Sequence, residues 1–400
     1  MRLLYVTSSL PYGPGEAFVI PEVAALGRRG HELTLVPVHG RGPVLHDDAR
    51  QLLDLCIERS LLSAAIARGA LRQLARKPGC SLRALRLLLC SRSPRILLKN
   101  LAVLPKALWL GLEAERRGID HIHAHWGATS STAAMVASRL SGISWSLTVH
   151  RWDIGEDNLL AAKARSASFL RTINELGLRK LEDIAGGAAR DAFVLHMGVD
   201  VPPEPAPPSP GRRVLAAASL REVKGHVYLL EAARVLRERG IEVRVECVGD
   251  GPLRTELERR VTGQGLEDVV SLTPALSHQE LLDRLAAGHW RTAVLASIVT
   301  PHGEHEGIPV SLLEAMSVGV PAIGTETGGI PDLLGGGAGL LVPERDADAL
   351  ADALERVITD DGLWEELAAA GRRRVEERFD VEIVAAELER RFLAAAGAAA

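Results

Sequence analysis

Aromatic residues are scarce in this 400-residue chain, at 4% of its length. That shortage argues against a protein that stacks bases of RNA or single-stranded DNA. Strong net charge is also missing: a formal −4 gives no global attraction to nucleic acid. The cysteines are few and scattered, at Cys56, Cys80, Cys90 and Cys247, with no C-x-x-C pair. Such spacing suits neither a disulfide framework nor a zinc site, so reduced thiols and a cytoplasmic location are expected. No apolar run approaches the ~20 residues that cross a bilayer. The run from Leu3 to Thr7 is too short for a secretory signal, and Ser8 to Gly13 reads as a turn rather than a cleavage site. One absence is local. Between Arg59 and Leu112 there is no Asp or Glu, while Arg and Lys recur among many leucines. Two readings stand: surface helices with solvated basic faces, or a basic amphipathic surface that sits on anionic lipid or guides an anionic acceptor.

What is present is a globular composition, 47% hydrophobic and 24% charged, in a chain long enough for two or three domains. Leu3–Thr7, a Gly-rich turn, a helical pattern over Glu16–Arg29 and an apolar run over Glu32–Val38 make a βαβ unit, which implies a parallel sheet. Ile119–His125 and Trp145–His150 read as further strands, and Phe193–Asp200 as the end of the domain. The stretch Val201–Gly211 holds six prolines and can be neither helix nor central strand. After it the alternation restarts, with strands expected at Val214–Ser219, Val243–Val248, Val269–Leu272, Thr292–Ala296, Pro321–Gly324 and Gly339–Val342. The fold class is therefore α/β with two doubly wound parallel-sheet, Rossmann-like domains, whose ligands are expected at the carboxyl ends of the strands.

The densest motif is Gly303-Glu304-His305-Glu306-Gly307-Ile308-Pro309-Val310-Ser311-Leu312-Leu313-Glu314-Ala315-Met316. Pro309 is suited to the first helical position, so Gly307 and Ile308 would open a helix whose unpaired N–H groups favour an anion such as a diphosphate. Glu306 and Glu314 could accept hydrogen bonds from neutral hydroxyls. Upstream lie Ser219-Leu220-Arg221-Glu222-Val223-Lys224-Gly225 and Val248-Gly249-Asp250-Gly251-Pro252, each a strand-to-helix turn. Gly249 and Gly251 would let the backbone pass close to a ligand. In the first half, Pro11-Tyr12-Gly13-Pro14-Gly15-Glu16 opens a helix, where Glu16 would favour the helix dipole. Thr148-Val149-His150-Arg151-Trp152-Asp153 ends a strand, and His121, His123 and His125 share one strand face. No clear carboxylate accompanies those three histidines, and no metal is expected.

Glu306 and Glu314, with seven residues between them, resemble the E-x7-E signature of retaining GT-B glycosyltransferases of family 4. The likeness runs on through Gly319–Thr325, Thr327–Leu333, Gly339–Pro343 and Arg378-Phe379-Asp380. It implies the GT-B fold, two domains facing across a cleft, and transfer of a sugar from a nucleoside diphosphate, UDP first, with no metal or other cofactor. It implies a polysaccharide, glycolipid or natural-product acceptor, small or lipid-linked, and no nucleic-acid partner. By the same resemblance Lys224 and Arg221 would meet the diphosphate, Glu306 and His150 the sugar, and Glu314 the ribose. Gly13, Gly15, Ser219, Gly249, Gly251, Gly307 and Ile308 would form the donor-binding turns. One departure stands out: Ser219 occupies the place where the family carries an Arg, and Arg221 stands two residues later. The resemblance further implies an acceptor domain over 1–201, a linker over 202–211, a donor domain over 212–378 and a returning helix within 379–400. Two other functions keep the same pocket: an epimerase or phosphorylase, and a non-catalytic nucleotide-sugar-binding or membrane-surface protein.

Overall fold

The computed structural model describes residues 1–398 apart from Pro14, Arg41, Leu45 and His46. Pro14 of the first Gly-rich turn thus lies outside the described residues. The chain divides into two units, Met1–Met197 with Val384–Ala400, and Gly198–Ile383.

The first unit is built on β1 (Arg2–Thr7), β2 (Glu32–Pro37), β3 (His121–His125), β4 (Trp145–Val149), β5 (Leu170–Thr172) and β6 (Phe193–Val194). They form one parallel sheet in the order β2-β1-β3-β4-β5-β6. Its central strands are buried on both faces, as expected where helices cover a parallel sheet. The helical pattern begins later than its sequence suggests. A short 3-10 turn, Ala17–Val19, precedes α1 (Ile20–Arg28), because the Glu16 carboxylate folds back to accept from the N–H groups of Ser8, Ser9 and Leu10. The acid-free segment forms α2 (Ala64–Arg76), α3 (Pro78–Leu88) and most of α4 (Pro94–Arg117). Ser63 and Ser93 cap α2 and α4 through their side chains. Not all of this segment is solvated: Lys106 is buried and donates to the carbonyls of Pro37, Val38 and Arg59. Burial pulls its ammonium down to about 8.

The second unit carries β7 (Arg213–Ala217), β8 (Arg244–Val248), β9 (Val270–Thr273), β10 (Thr292–Leu295), β11 (Ala322–Thr325) and β12 (Leu340–Val342). The order is β12-β11-β10-β7-β8-β9, again all parallel. The Pro-rich segment lies within this unit and packs on it. Ala206 N–H donates to Val318 O, and Arg372 donates to the carbonyls of Pro202 and Pro203. The closing helix, Val381–Gly397, runs from the second unit into the first, where Phe392 is buried against Tyr5, His121 and His123.

Candidate functional site

Each sheet reverses its direction of growth at one place, between β1 and β3 in the first unit and between β7 and β10 in the second. Loops leaving adjacent strands part there and open a crevice at the carboxyl ends. In the second unit the loop after β7 brings Lys224 and the loop after β10 brings Glu306. Lys224 Nζ donates to Glu306 Oε2 at 2.5 Å. The pair is mostly shielded from solvent, with side chains 19% and 9% exposed. Glu306 Oε1 also accepts from the N–H of Gly307 at 3.1 Å, and Ser297 Oγ stands 3.5 Å from Oε2.

Glycines make this meeting of loops possible. Gly225 sits at φ +64°, and a Cβ there would lie 1.7 Å from Ala296 O at the end of β10. Gly328, at φ +60°, backs onto the Glu306 carbonyl, where a Cβ would come within 2.0 Å. Gly249 and Gly251 also permit a close approach, but to the chain itself. Cβ atoms there would meet Ala218 O at 2.0 Å and Leu220 O at 2.5 Å. The Ser219 and Gly249 turns are laced together by Leu220 N–H to Asp250 O and Leu253 N–H to Leu220 O.

The expected helix start needs one correction. The helix Val310–Ser317 begins after Pro309, which is extended at ψ 112° rather than helical. The Pro309 carbonyl accepts from Leu312 and Leu313, so the proline precedes the first turn instead of opening it. Ile308 places its side chain in the apolar core, leaving only its backbone for a ligand. Glu314 is held at 2.7 Å by His278 Nε2, a partner outside the sequence motifs. Its only signal is Ser277, which caps the helix His278–Ala286 and so fixes where His278 emerges. Arg221 points elsewhere than Lys224: it is half exposed and pairs with Glu304 at 3.4 Å.

The first unit repeats the arrangement with different chemistry. Across its reversal point, Trp126 Nε1 donates to Glu16 Oε1 at 2.7 Å. Glu16 thereby ties Trp126 to Ser8, Ser9 and Leu10, which precede Gly13 and Gly15. Below it lies a buried network. Glu22 Oε2 accepts from Arg171 at 2.5 Å, while Oε1 is 3.0 Å from His125 Nε2 and accepts from Tyr5 at 3.2 Å. Burial alone would raise the Glu22 carboxyl, but Arg171 and then His125 overcome it and hold it well below the usual range. His125 Nδ1 lies 3.4 Å from His150 Nε2. His150 is enclosed by Trp126 and Phe18, with ring centroids at 4.3 Å and 5.1 Å, and burial keeps it neutral. Its backbone N–H donates to Asp153, whose carboxyl burial pushes up to about 6. Neither Glu22 nor Arg171 carries a sequence motif for this role, and Glu22 is a carboxylate beside histidines for which none is expected.

Glu22, His123 and His125 have ligand atoms within 4.8 Å of one another, a grouping that could hold a metal. Each of those atoms already has a partner: His123 meets the hydroxyls of Ser146 and Thr148, and Glu22 carries Arg171. A cation would have to share its carboxylate with a guanidinium, so hydrogen bonding explains the cluster better.

Comparison with known proteins agrees with this architecture. Residues 202–374 match the family described as Glycosyl transferases group 1. WcaL of Salmonella typhimurium, named as a candidate colanic acid biosynthesis glycosyltransferase, is 30% identical over 67% of this chain and 69% of its own length. The chain belongs to the group 1 glycosyl transferases. WcaL of Escherichia coli is 34% identical over 56% of each chain, so this match spans about half of that relative. The crystal structure of HepE from Anabaena in complex with UDP and glucose has the same GT-B fold. It covers 98% of both chains with a TM-score of 0.72 at 17% identity.

Proposed function

We propose that this group 1 chain transfers a sugar from a nucleoside diphosphate, UDP being the first candidate, to an acceptor hydroxyl with retention at the anomeric carbon. The single observation carrying this reading is the Lys224–Glu306 pair at the reversal point of the second sheet. A cation and a hydrogen-bond acceptor held together there suit the two ends of the bond to be broken. Lys224 neutralises the departing diphosphate, and Glu306 accepts from a sugar hydroxyl. Glu314, oriented by His278, accepts from the ribose. His150, neutral and enclosed, is the further candidate for a sugar hydroxyl.

No residue of the second unit stands out as a covalent nucleophile, so the proposed step is a same-face displacement. The bond from the anomeric carbon to the phosphate oxygen breaks, the bond to the acceptor oxygen forms, and the acceptor proton passes to the phosphate. The names of the WcaL relatives favour polysaccharide assembly, and the HepE complex favours UDP.

Incubation with a panel of nucleotide sugars and simple glycoside acceptors tests the reading. Release of nucleoside diphosphate with a product of unchanged anomeric configuration supports it. Epimerised donor, or sugar phosphate formed only with added phosphate, would replace transfer by one of the related activities.

A further inference from the structure

Seven of the thirteen large hydrophobic side chains left exposed among the described residues are leucines between positions 62 and 101. They share their faces with arginines. On α2, Arg68, Leu71 and Arg72 point outward together; on α3, Leu82, Arg83 and Arg86; on α4, Arg95 and Leu98. The carboxylates that reach this region come from outside it and engage other cations: Glu115 takes Arg76 and Lys77, Glu156 takes Lys99, and Asp157 takes Arg92. Among the described residues, no carboxylate pairs with Arg68, Arg72, Arg86 or Arg95. A groove of 1110 Å³ borders α2, with Arg59, Arg68, Arg72 and Arg76 along it and Glu113 and Glu115 of α4 also in its lining.

We propose that the outer face of α2, α3 and the start of α4 docks on an anionic lipid bilayer. Leucines exposed at 96% (Leu62), 70% (Leu98) and 66% (Leu71), recurring along one segment, exceed the scattered single apolar residues of an ordinary solvated face. A polyanion such as nucleic acid would satisfy the arginines and leave the leucines in water. A bilayer interface takes both, with apolar side chains entering the acyl boundary and guanidinium groups reaching the headgroup phosphates. No helix among the described residues is long and apolar enough to cross a membrane, so the contact is one of surface. This proposal does not depend on which sugar is transferred, or on whether transfer occurs.

The test is co-sedimentation of the full chain with phosphatidylcholine vesicles, with and without phosphatidylglycerol, at ~0.1 M salt. Binding should require the anionic lipid. Arg68→Gln, Arg72→Gln and Arg86→Gln should each weaken it roughly fivefold. Leu71→Ser with Leu98→Ser should weaken it at least about tenfold, from the lost apolar insertion. If that pair lowers the far-UV circular dichroism, the single Leu62→Ser, at a turn and almost wholly exposed, carries the apolar arm. Three results would overturn the proposal: no binding to anionic vesicles, unchanged binding by every leucine variant, or complete displacement by equimolar single-stranded RNA.

Discussion

Lys224 and Glu306 are 82 residues apart in the chain, yet their side chains meet at 2.5 Å. The contact exists because β7 and β10, neighbouring parallel strands at the reversal point, end on either side of one crevice and the two side chains meet in it. On the proposed reading, removing one partner removes a charge aimed at the reacting bond. Lys224→Ala is expected to lower kcat by about 10² to 10³, the usual cost of losing one preorganised electrostatic contact. Glu306→Gln keeps the size and loses the anion, and a similar fall is expected. Steady-state release of nucleoside diphosphate measures both. The double variant should lose little more than either single, since the two act as a unit.

Glu314 should behave differently. Its proposed hydroxyl is remote from the bond being broken, so the loss is one of uniform binding. Glu314→Gln is expected to raise the donor KM about tenfold and leave kcat within about threefold. His278→Ala, which releases rather than removes the carboxylate, should show the same split to a smaller degree.

The glycine contacts predict a contrast in stability. Gly225→Ala and Gly328→Ala force a Cβ into a carbonyl oxygen at 1.7 Å and 2.0 Å, on backbones of positive φ. Each should cost upwards of about 2 kcal/mol in urea unfolding and loosen the Lys224–Glu306 contact. Gly13→Ala meets nothing within 4 Å despite φ +74°, so only the backbone cost of about 1 kcal/mol is expected.

Much of this was legible in the sequence, and the misses share a cause. Ten of the twelve strands fall in runs that read as strands, while β6 lies in the stretch read only as the end of its domain. The other, β5, is short and carries Arg171, a charge that argues against a buried strand until Glu22 is known to face it. Glu22 escapes for the same reason: a Glu in the first turn of an amphipathic helix reads as solvated, and only the fold turns it inward. The glycines of the Gly249 turn are legible as places of close backbone approach; that Ala218 and Leu220 lie against them is a contact between two turns that no local pattern reveals.

That buried network yields a further test. Glu22→Gln leaves the Arg171 guanidinium buried without its anion and should destabilise the protein by about 3 kcal/mol or more. Glu22→Leu combined with Arg171→Met removes both charges and should recover much of that loss. Urea midpoints of the three proteins decide it; equal loss in the single and double variants would show that packing, not charge, is at stake.

Acid should weaken the fold through its buried histidines. Burial lowers His226 to about 4 and His121 to about 3. The unfolded chain therefore binds these protons first, and stability held above pH ~6.5 is lost as pH falls toward those values. Asp153, raised to about 6, works in the opposite direction over part of the same range. His226→Leu also removes two buried ring nitrogens that lack a hydrogen-bond partner. The urea midpoint of this variant should fall less between pH 7 and pH ~4.5 than that of the parent.

The central claim is that the Lys224–Glu306 pair receives a nucleoside diphosphate sugar. Isothermal titration of the intact chain with UDP-glucose and its GDP, ADP and dTDP counterparts, repeated on Lys224→Ala and Glu306→Gln, tests it most directly. One donor should bind the parent protein, with affinity reduced about tenfold or more in both variants. Binding that is unchanged in both variants, or absent for every nucleotide sugar in the parent, would contradict it.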